Sequence, residues 1–568
     1  MRVLLVHPEF PTTYWGFQNS LPFIGKRATL PPLGLLTLGA LLPPTWQARL
    51  SDLNVAPLRD DDMLWADAVL VGGMLVQSPS ALEVVRRAHA LGRKTIVGGA
   101  AVTTSPSLFD EAGHIFLGEA EGRIDAVVRA VEGDGEPHVL GEIPEAKPDV
   151  SKSPRPLFEL IDLRSYQAMS VQYSRGCPFT CEFCDIIEMF GRVPRYKSPP
   201  QVLAELDALK ALGWRGPVFF VDDNFIGNKR AAKQLLPEVA CWQRENGFPF
   251  SFYTEASVNL AADATLLRMM VEAGFDSVFL GIETPSVEAL RETKKKQNVV
   301  DLREAVDTIT RAGLDVMGGF IVGFDADGPE AFAAQREFIS SSPIPLAMVG
   351  LLTALPGTQL WRRLEREGRL RDTSNGDAFT RPNFETSMGD ELLLAGYKEL
   401  MKDLYSAQSY YARCHRVIER VGPPVAGARF QPRDLVPAAR AIMGIGVLGS
   451  RRRQFWRLLA HGSTKGHHAL RRAFMFAIQG EHLIRYTDET VVPRIERALS
   501  EVRAAPQPRV RRHVAMKATA PASVPGKPGE QAKPEESVRT ATPAAKSASN
   551  EPVSLSSARL EALVQTTA

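Results

Sequence analysis

Cysteine is scarce in this chain, with five among 568 residues. That is too few for a disulfide framework and suits a reducing compartment. An excess of one charge is also missing. Lys and Arg number 67 against 65 Asp and Glu, a formal net charge of +2, so the balance gives no footing for nucleic acid. Long hydrophobic runs are absent as well. The uncharged stretch 28–48 carries Pro31, Pro32, Pro43 and Pro44, and the stretch 340–361 is likewise interrupted by prolines. A membrane-spanning helix is therefore not expected. The opening residues Met1 to Pro8 read as a strand and not as a secretory signal, which places the chain in the cytoplasm. Hydrophobic residues at 44% and charged residues at 23% match a soluble globular protein, long enough for several domains.

Against that scarcity, three of the five cysteines fall within eight residues: Cys177, Cys181 and Cys184. Thiolates are the usual ligands of iron–sulfur clusters, and a cubane cluster has four irons. Three cysteines leave one iron open to a small molecule. A closed zinc site usually takes four ligands, often as two separated pairs, and no second pair exists here. Three clustered cysteines cannot all pair as disulfides. Cys241 and Cys414 are isolated and read as ordinary thiols.

The fold expected is α/β, in five stretches. Residues 1–140 alternate short apolar runs (3–6, 48–51, 68–72, 95–98, 115–117) with helical patterns (33–42, 80–91, 122–132), the signature of a parallel sheet. Glycines stand where strands end: Gly72 and Gly73, Gly98 and Gly99, then Gly118. Such ends take ligands in open sheets, although tight strand-to-helix turns alone would also need glycine. Residues 141–168, rich in proline and charge, read as a linker. Over 169–370 about six further βα units predict a partial barrel, open on one side. Its active site belongs at the carboxyl ends of the strands, where the cysteine loop, Asp222, Asp223, Glu255, Glu283, Gly319 and Gly323 all fall. Acids there could equally cap the following helices. Residues 371–502 read as mainly helical, with helices over 391–411 and 437–443. Residues 503–568, rich in Ala, Pro, Ser and Lys, read as a disordered tail with a short helix at 556–564. Between Arg451 and Arg485 eight Arg/Lys stand against one acid, with Phe455, Trp456, Phe474 and Phe476 interleaved. Such a stretch suits peripheral contact with an anionic membrane; a solvated basic face over an apolar stripe is the plainer reading.

The cysteine spacing, with Phe183 just before the last cysteine, resembles the signature of the radical S-adenosylmethionine (SAM) enzymes. Pro31-Pro32-Leu33-Gly34-Leu35, Gly98-Gly99 and Gly118-Glu119-Ala120-Glu121, all ahead of it, resemble the cobalamin-binding domain of the B12-dependent members. The helical extension resembles that of the hopanoid C-2 methylase branch. The resemblance implies a [4Fe–4S] cluster on Cys177, Cys181 and Cys184. It implies SAM near Asp222, Asp223, Glu255, Glu283, Gly319 and Gly323, and cobalamin near Gly72, Gly73, Gly98, Gly99, Gly118 and Glu119. An external electron donor of flavodoxin or ferredoxin type would feed the cluster. The activity implied is methylation of an unactivated carbon of a small molecule or lipid such as a hopanoid. Ring formation or carbon–carbon coupling without methyl transfer is an alternative, as is a sensor without turnover. Two positions depart from the pattern. The Asp-x-His-x-x-Gly motif is absent: Asp52-Leu53-Asn54 supplies no imidazole, and His7, His89 and His114 do not fit. On the fifth barrel strand Ala326 stands at the usual glutamate, beside Asp325.

Overall fold

The computed structural model describes residues 1–504 apart from 134, 142, 144, 373–375, 378 and 423–433. The tail expected from 503, beyond the two residues that finish the last helix, lies outside the described residues, as does the short helix expected at 556–564.

The first sheet is built from β1 (Arg2–His7), β2 (Gln47–Asp52), β3 (Ala68–Gly72), β4 (Lys94–Gly98), β5 (His114–Phe116) and β6 (Val139–Leu140). All neighbours are parallel, in the order β2-β1-β3-β4-β5-β6. Continuous apolar runs suit such strands because both faces are covered. Leu4, Val6, Val69, Val71 and Val97 pack with Val84, Val85 and Ala88 on one face. Val3, Leu5, Leu70, Ile96 and Phe116 pack with Val127 and Val131 on the other. The sixth strand was not expected; two residues are too few to show a period.

The second sheet comprises β7 (Met169–Val171), β10 (Gly216–Phe220), β11 (Phe250–Ala256), β12 (Phe275–Glu283), β13 (Asp315–Val322) and β14 (Ala347–Leu351). A small antiparallel pair, β8 (Ser174–Arg175) and β9 (Arg195–Tyr196), frames the cysteine loop. The order β14-β13-β12-β11-β10-β7 leaves β14 and β7 unpaired with each other, so the barrel is open on one side. Val278, Leu280 and Ile282 are buried beneath the surrounding helices, while Ser277, Phe279 and Gly281 at alternate positions face inward, half-buried.

The extension covers the open edge. Tyr397 and Tyr405, on and just after the helix Asp390–Leu404, donate their hydroxyls to Val349 and Ala347 carbonyls of β14, at 2.7 and 2.6 Å. Edge carbonyls left over by the sheet are thus satisfied. The helix expected over 391–411 is two, Asp390–Leu404 and Ala407–Arg420, because the Ser406 hydroxyl caps the second by accepting from Ser409 N–H. At the opposite end of the barrel, Arg472 of the helix His467–Tyr486 meets Asp315 at 3.1 Å. No helix among the described residues is long and apolar enough to cross a membrane.

Candidate active site

The cysteine loop is tied at its base. Gly176 has φ +97°, and a Cβ there would fall 2.9 Å from the Gly191 carbonyl and 3.2 Å from that of Phe190. Only glycine fits. Cys177 N–H then donates to Gly191. Asp222 accepts from Tyr173 N–H (2.8 Å), Ser174 N–H (2.8 Å) and the Ser174 hydroxyl (2.6 Å), and Asp223 accepts from Gly176 N–H (2.7 Å). The strand expected over 169–174 stops at Val171 because Asp222 takes these donors from the ladder. Asp222 therefore props the loop from behind, and one Asp223 oxygen does the same.

The three thiols are buried or half-buried close together. Burial pushes the Cys184 and Cys177 thiols up; Cys184 also feels Asp185, Cys181 and Cys177, and Cys177 feels Cys181. Such thiols stay protonated until a metal displaces the proton. Asn224 Nδ2 lies 3.8 Å from Cys177 Sγ, and Gln297 Nε2 donates to Cys181 Sγ at 3.4 Å. Lys295 pairs with Glu283. Burial works against its charge, but Glu283, Cys181 and Cys184 together hold its pKa above the ordinary value. Among the described residues no three His, Cys, Asp or Glu side chains could hold one metal ion, as a closed zinc site requires. A cubane gives each cysteine its own iron, so the thiols need only border one volume. Three thiols, two amide donors to sulfur and one buried ammonium fit a cluster of net negative charge.

Asn224 stands at the strand end with Asp222 and Asp223, but Lys295 and Gln297 carry no signal as site residues. Lys295 and Gln297 sit in Lys294-Lys295-Lys296-Gln297, which reads as a solvated turn. They are aimed by backbone that other residues avoid. Glu283 and Lys294 have φ of +66° and +59°, and the β12–β13 register shifts between Gly281 and Glu283. A bulge of this kind re-aims a side chain. Gly281 must lack a Cβ, which would lie 2.6 Å from Glu283 Oε1 and 2.8 Å from Lys295 Nζ.

Glu255, last but one in β11, is aimed with Asp223 into the barrel mouth. Burial pushes Glu255 up to about 8, helped by Asp223 and Asp222, and pushes Asp223 up to about 6 and Asp222 to about 7. Below them Phe219 stacks on Tyr253 (centroids 4.7 Å apart) and Phe279 meets Trp15 (4.8 Å). Gly319 faces this wall, since a Cβ there would lie 2.7 Å from the Phe279 ring. Gly323 has φ +102° and donates its N–H to Asp327. Asp325 is occupied elsewhere: Arg363 at 2.8 Å, Arg369 at 2.5 Å and Ser387 at 2.7 Å hold it well below the usual carboxylate range despite partial burial.

Glu255 makes the fold's stability depend on pH. In the unfolded chain it ionises near 4.5, but in the fold only near 8. The stability carried by its protonated form is full below the first value and lost as pH rises through the second. Without SAM, the unfolding free energy should fall on the order of 3 kcal/mol toward pH ~9. Glu255→Gln should flatten that fall in chemical denaturation at several pH values. An unchanged slope would show that Glu255 is already ionised.

In the first sheet the strand order reverses between β1 and β3, where an open parallel sheet takes its ligand. His7, Gly72 and Gly73 border this crevice, and His7 Nδ1 lies 3.3 Å from the Gly72 carbonyl. Gly72 and Gly98 are register partners; a Cβ on Gly72 would fall 2.9 Å from the Leu35 side chain, so packing also uses that glycine. Gly99 and Gly118 have φ of +94° and +80°, giving turns of bare backbone at the strand ends. That surface fits a large flat cofactor. Asp52 instead accepts from the Tyr166 hydroxyl at 2.9 Å, and Asn54 braces Pro8 and Phe10. His89 is exposed and meets Thr95, and His114 meets the Pro137 carbonyl.

The two sheets meet at their carboxyl ends. Glu119, just after β5, pairs with Arg195 at 3.0 Å and with Arg175, two residues before Cys177. Glu121 pairs with Arg175 at 2.9 Å and accepts from Ser153 at 3.0 Å. Burial alone would raise the Glu121 carboxyl, but Arg175 brings it below its ordinary value. The segment after β1 completes the junction through Trp15 on Phe279. Glu119, expected beside a cofactor, thus has its oxygens on arginines of the cysteine hairpin.

The radical SAM superfamily profile matches residues 171–339, and a domain of unknown function, DUF4070, matches 358–496. An uncharacterized methyltransferase of Synechocystis is 41% identical over 86% of this chain and 92% of its own length. The hopanoid C-2 methylase of Rhodopseudomonas palustris is 35% identical over 86% and 94%. This chain belongs to the radical SAM methyltransferases. Its fold is that of cobalamin-binding radical SAM enzymes. The methyltransferase TsrM of Kitasatospora setae, solved with cobalamin and a [4Fe–4S] cluster, superposes with TM-score 0.52 at 19% identity over 66% of this chain and 79% of its own. The cobalamin-dependent enzyme OxsB superposes with TM-score 0.56 at 16% identity over 88% and 83%. In this radical SAM methyltransferase the superfamily match opens at Val171, the last residue of β7, and takes in the whole cysteine loop.

Proposed function

We propose that the chain is a cobalamin-dependent radical SAM methyltransferase acting on an unactivated carbon of an apolar polycyclic lipid, a hopanoid or a relative. The observation that carries this is the junction of the two carboxyl faces through Glu119, Arg175 and Arg195. A ligand on the first sheet and one on the cysteine loop then border a single volume. When bound, the cluster with SAM supplies hydrogen abstraction from carbon, and cobalamin supplies the methyl group.

The chain's own residues position and insulate that chemistry. Cys177, Cys181 and Cys184 hold three irons, while Asn224 and Gln297 donate to sulfur and Lys295 offsets the charge, which together set the potential. Glu255 and the free side of Asp223 would receive the polar end of SAM, beside the Phe279 ring that Gly319 admits. Gly72, Gly73, Gly98, Gly99 and Gly118 present backbone to the corrin. Phe219, Tyr253, Phe279 and Trp15 form an apolar wall that suits fused rings. The likeness to a hopanoid methylase over most of both chains favours a lipid in that space.

Deleting the gene and comparing lipid extracts and soluble metabolites by mass spectrometry tests the reading. The expected result is loss of one lipid with accumulation of a partner lighter by one methylene. Changes confined to soluble metabolites would overturn the lipid assignment. A product differing by hydrogens alone would overturn methyl transfer in favour of ring formation or coupling.

A further inference from the structure

Six of the eighteen large hydrophobic side chains exposed among the described residues fall in one short stretch: Leu435, Val436, Met443, Val447, Leu448 and Trp456. Leu448 is 77% exposed. Leu435, Met443 and Val447 recur at helical spacing along Leu435–Ala441 and its π-helical continuation Ile442–Val447. The apolar side of this rod faces outward, the reverse of an ordinary surface helix.

A second helix, Arg452–Thr464, lies alongside. Trp456 Nε1 donates to the Gly446 carbonyl at 3.0 Å. Gly446 permits this approach, since a Cβ there would fall 2.8 Å from the Phe455 ring and 3.2 Å from that of Trp456. Arg452, Arg453 and Arg457 are exposed, and the first two share a helix side with Trp456. Nearby Arg451, Arg471 and Arg472 are neutralised by Glu481, Asp434 and Asp315. Arg452, Arg453 and Arg457 form no ion pair among the described residues. From 434 to 475 the sequence holds eight Arg/Lys and one acid, Asp434.

We propose that this face seats the enzyme on an anionic lipid bilayer, with Met443, Leu448 and Trp456 in the headgroup boundary and the free arginines on lipid phosphates. The charge pattern selects this occupant. A second copy docking here would oppose like charges across a two-fold axis. One exposed indole, Trp456, among aliphatic side chains is too little for successive bases to stack on. The proposal is independent of which molecule is methylated.

The test is flotation of the full chain, reconstituted anaerobically, with vesicles of phosphatidylcholine alone or mixed with phosphatidylglycerol. The protein should float with the anionic vesicles only, and at least about tenfold less in high salt. Met443→Ser with Leu448→Ser, and separately Arg452→Gln with Arg453→Gln and Arg457→Gln, should each cut flotation by at least about tenfold. SAM cleavage without vesicles should stay unchanged, which keeps folding out of the comparison. Failure of the native chain to float with anionic vesicles would overturn the proposal. So would flotation unaltered in both variants, or self-association or DNA retention lost in the variants without any vesicle binding.

Discussion

SAM cleavage should fall to background when Cys177, Cys181 or Cys184 is replaced by alanine. The loop gives each thiol a separate task, and nothing else among the described residues can stand in. Cys241 lies on the helix Lys229–Glu245, where its thiol meets Glu245, and Cys414 is fully buried beside Tyr410. Two cysteines leave two irons of a cubane open, and such a cluster is lost or loses its reducing power. The expected loss in 5′-deoxyadenosine formation is at least ~10³-fold, with iron and sulfide content falling alongside. Cys241→Ala is the control and should keep both. A cysteine variant that retains iron and cleaves SAM would remove the cluster assignment.

Glu119→Ala should separate SAM cleavage from methyl transfer. Arg175 and Arg195 are 14% and 15% exposed at the side chain, and Glu119 is 4% exposed. Removing the carboxylate leaves two guanidiniums facing each other without it. Breaking a buried ion pair from one side costs about 3–5 kcal/mol, so the unfolding free energy should drop by roughly that amount. The cysteine loop keeps its own props from Asp222, Asp223 and Gly176. It should still cleave SAM while the first sheet no longer holds its place over the mouth. The diagnostic is the ratio of 5′-deoxyadenosine to methylated product, which should rise at least about tenfold. Glu119→Gln should restore part of the stability and less of the ratio, because it returns shape without charge. Equal losses in both products would mean that Glu119 supports the fold alone.

Much of this architecture was legible because period and spacing are local signals. The apolar runs at 68–72 and 95–98 became strands β3 and β4, and the cysteine triad stood out against a chain with few cysteines. What was not legible depends on partners distant in sequence. Glu119 reads as a residue near a cofactor until Arg175, 56 positions later, takes its oxygen. Asp222 looks like a ligand group because it stands at a strand end beside Asp223, yet its donors come from Tyr173 and Ser174. Lys295 is hidden in a run of lysines, and only the bulge at Gly281 turns Glu283 to meet it. The expected linker also does more than join. Tyr166 reaches Asp52, and Leu157 N–H donates to the Leu36 carbonyl, contacts that proline and charge content do not announce.

The segment after β1 carries a consequence for how the protein is made. The Tyr14 hydroxyl meets Thr487 at 2.6 Å, His482 reaches the Thr13 carbonyl and Asn19 N–H, and Ser20 donates to Ile478. These partners are separated by 458 to 473 residues. At about 5–20 residues per second, Tyr14 and Phe17 leave the ribosome tens of seconds before anything exists to cover them. The first sheet can close locally, but the barrel wall that includes Trp15 is finished only when the last helices arrive. Assembly of the catalytic chamber thus waits for the helix His467–Tyr486 and Thr487, and a chain truncated before residue 478 should be left with its first aromatic cluster open to water.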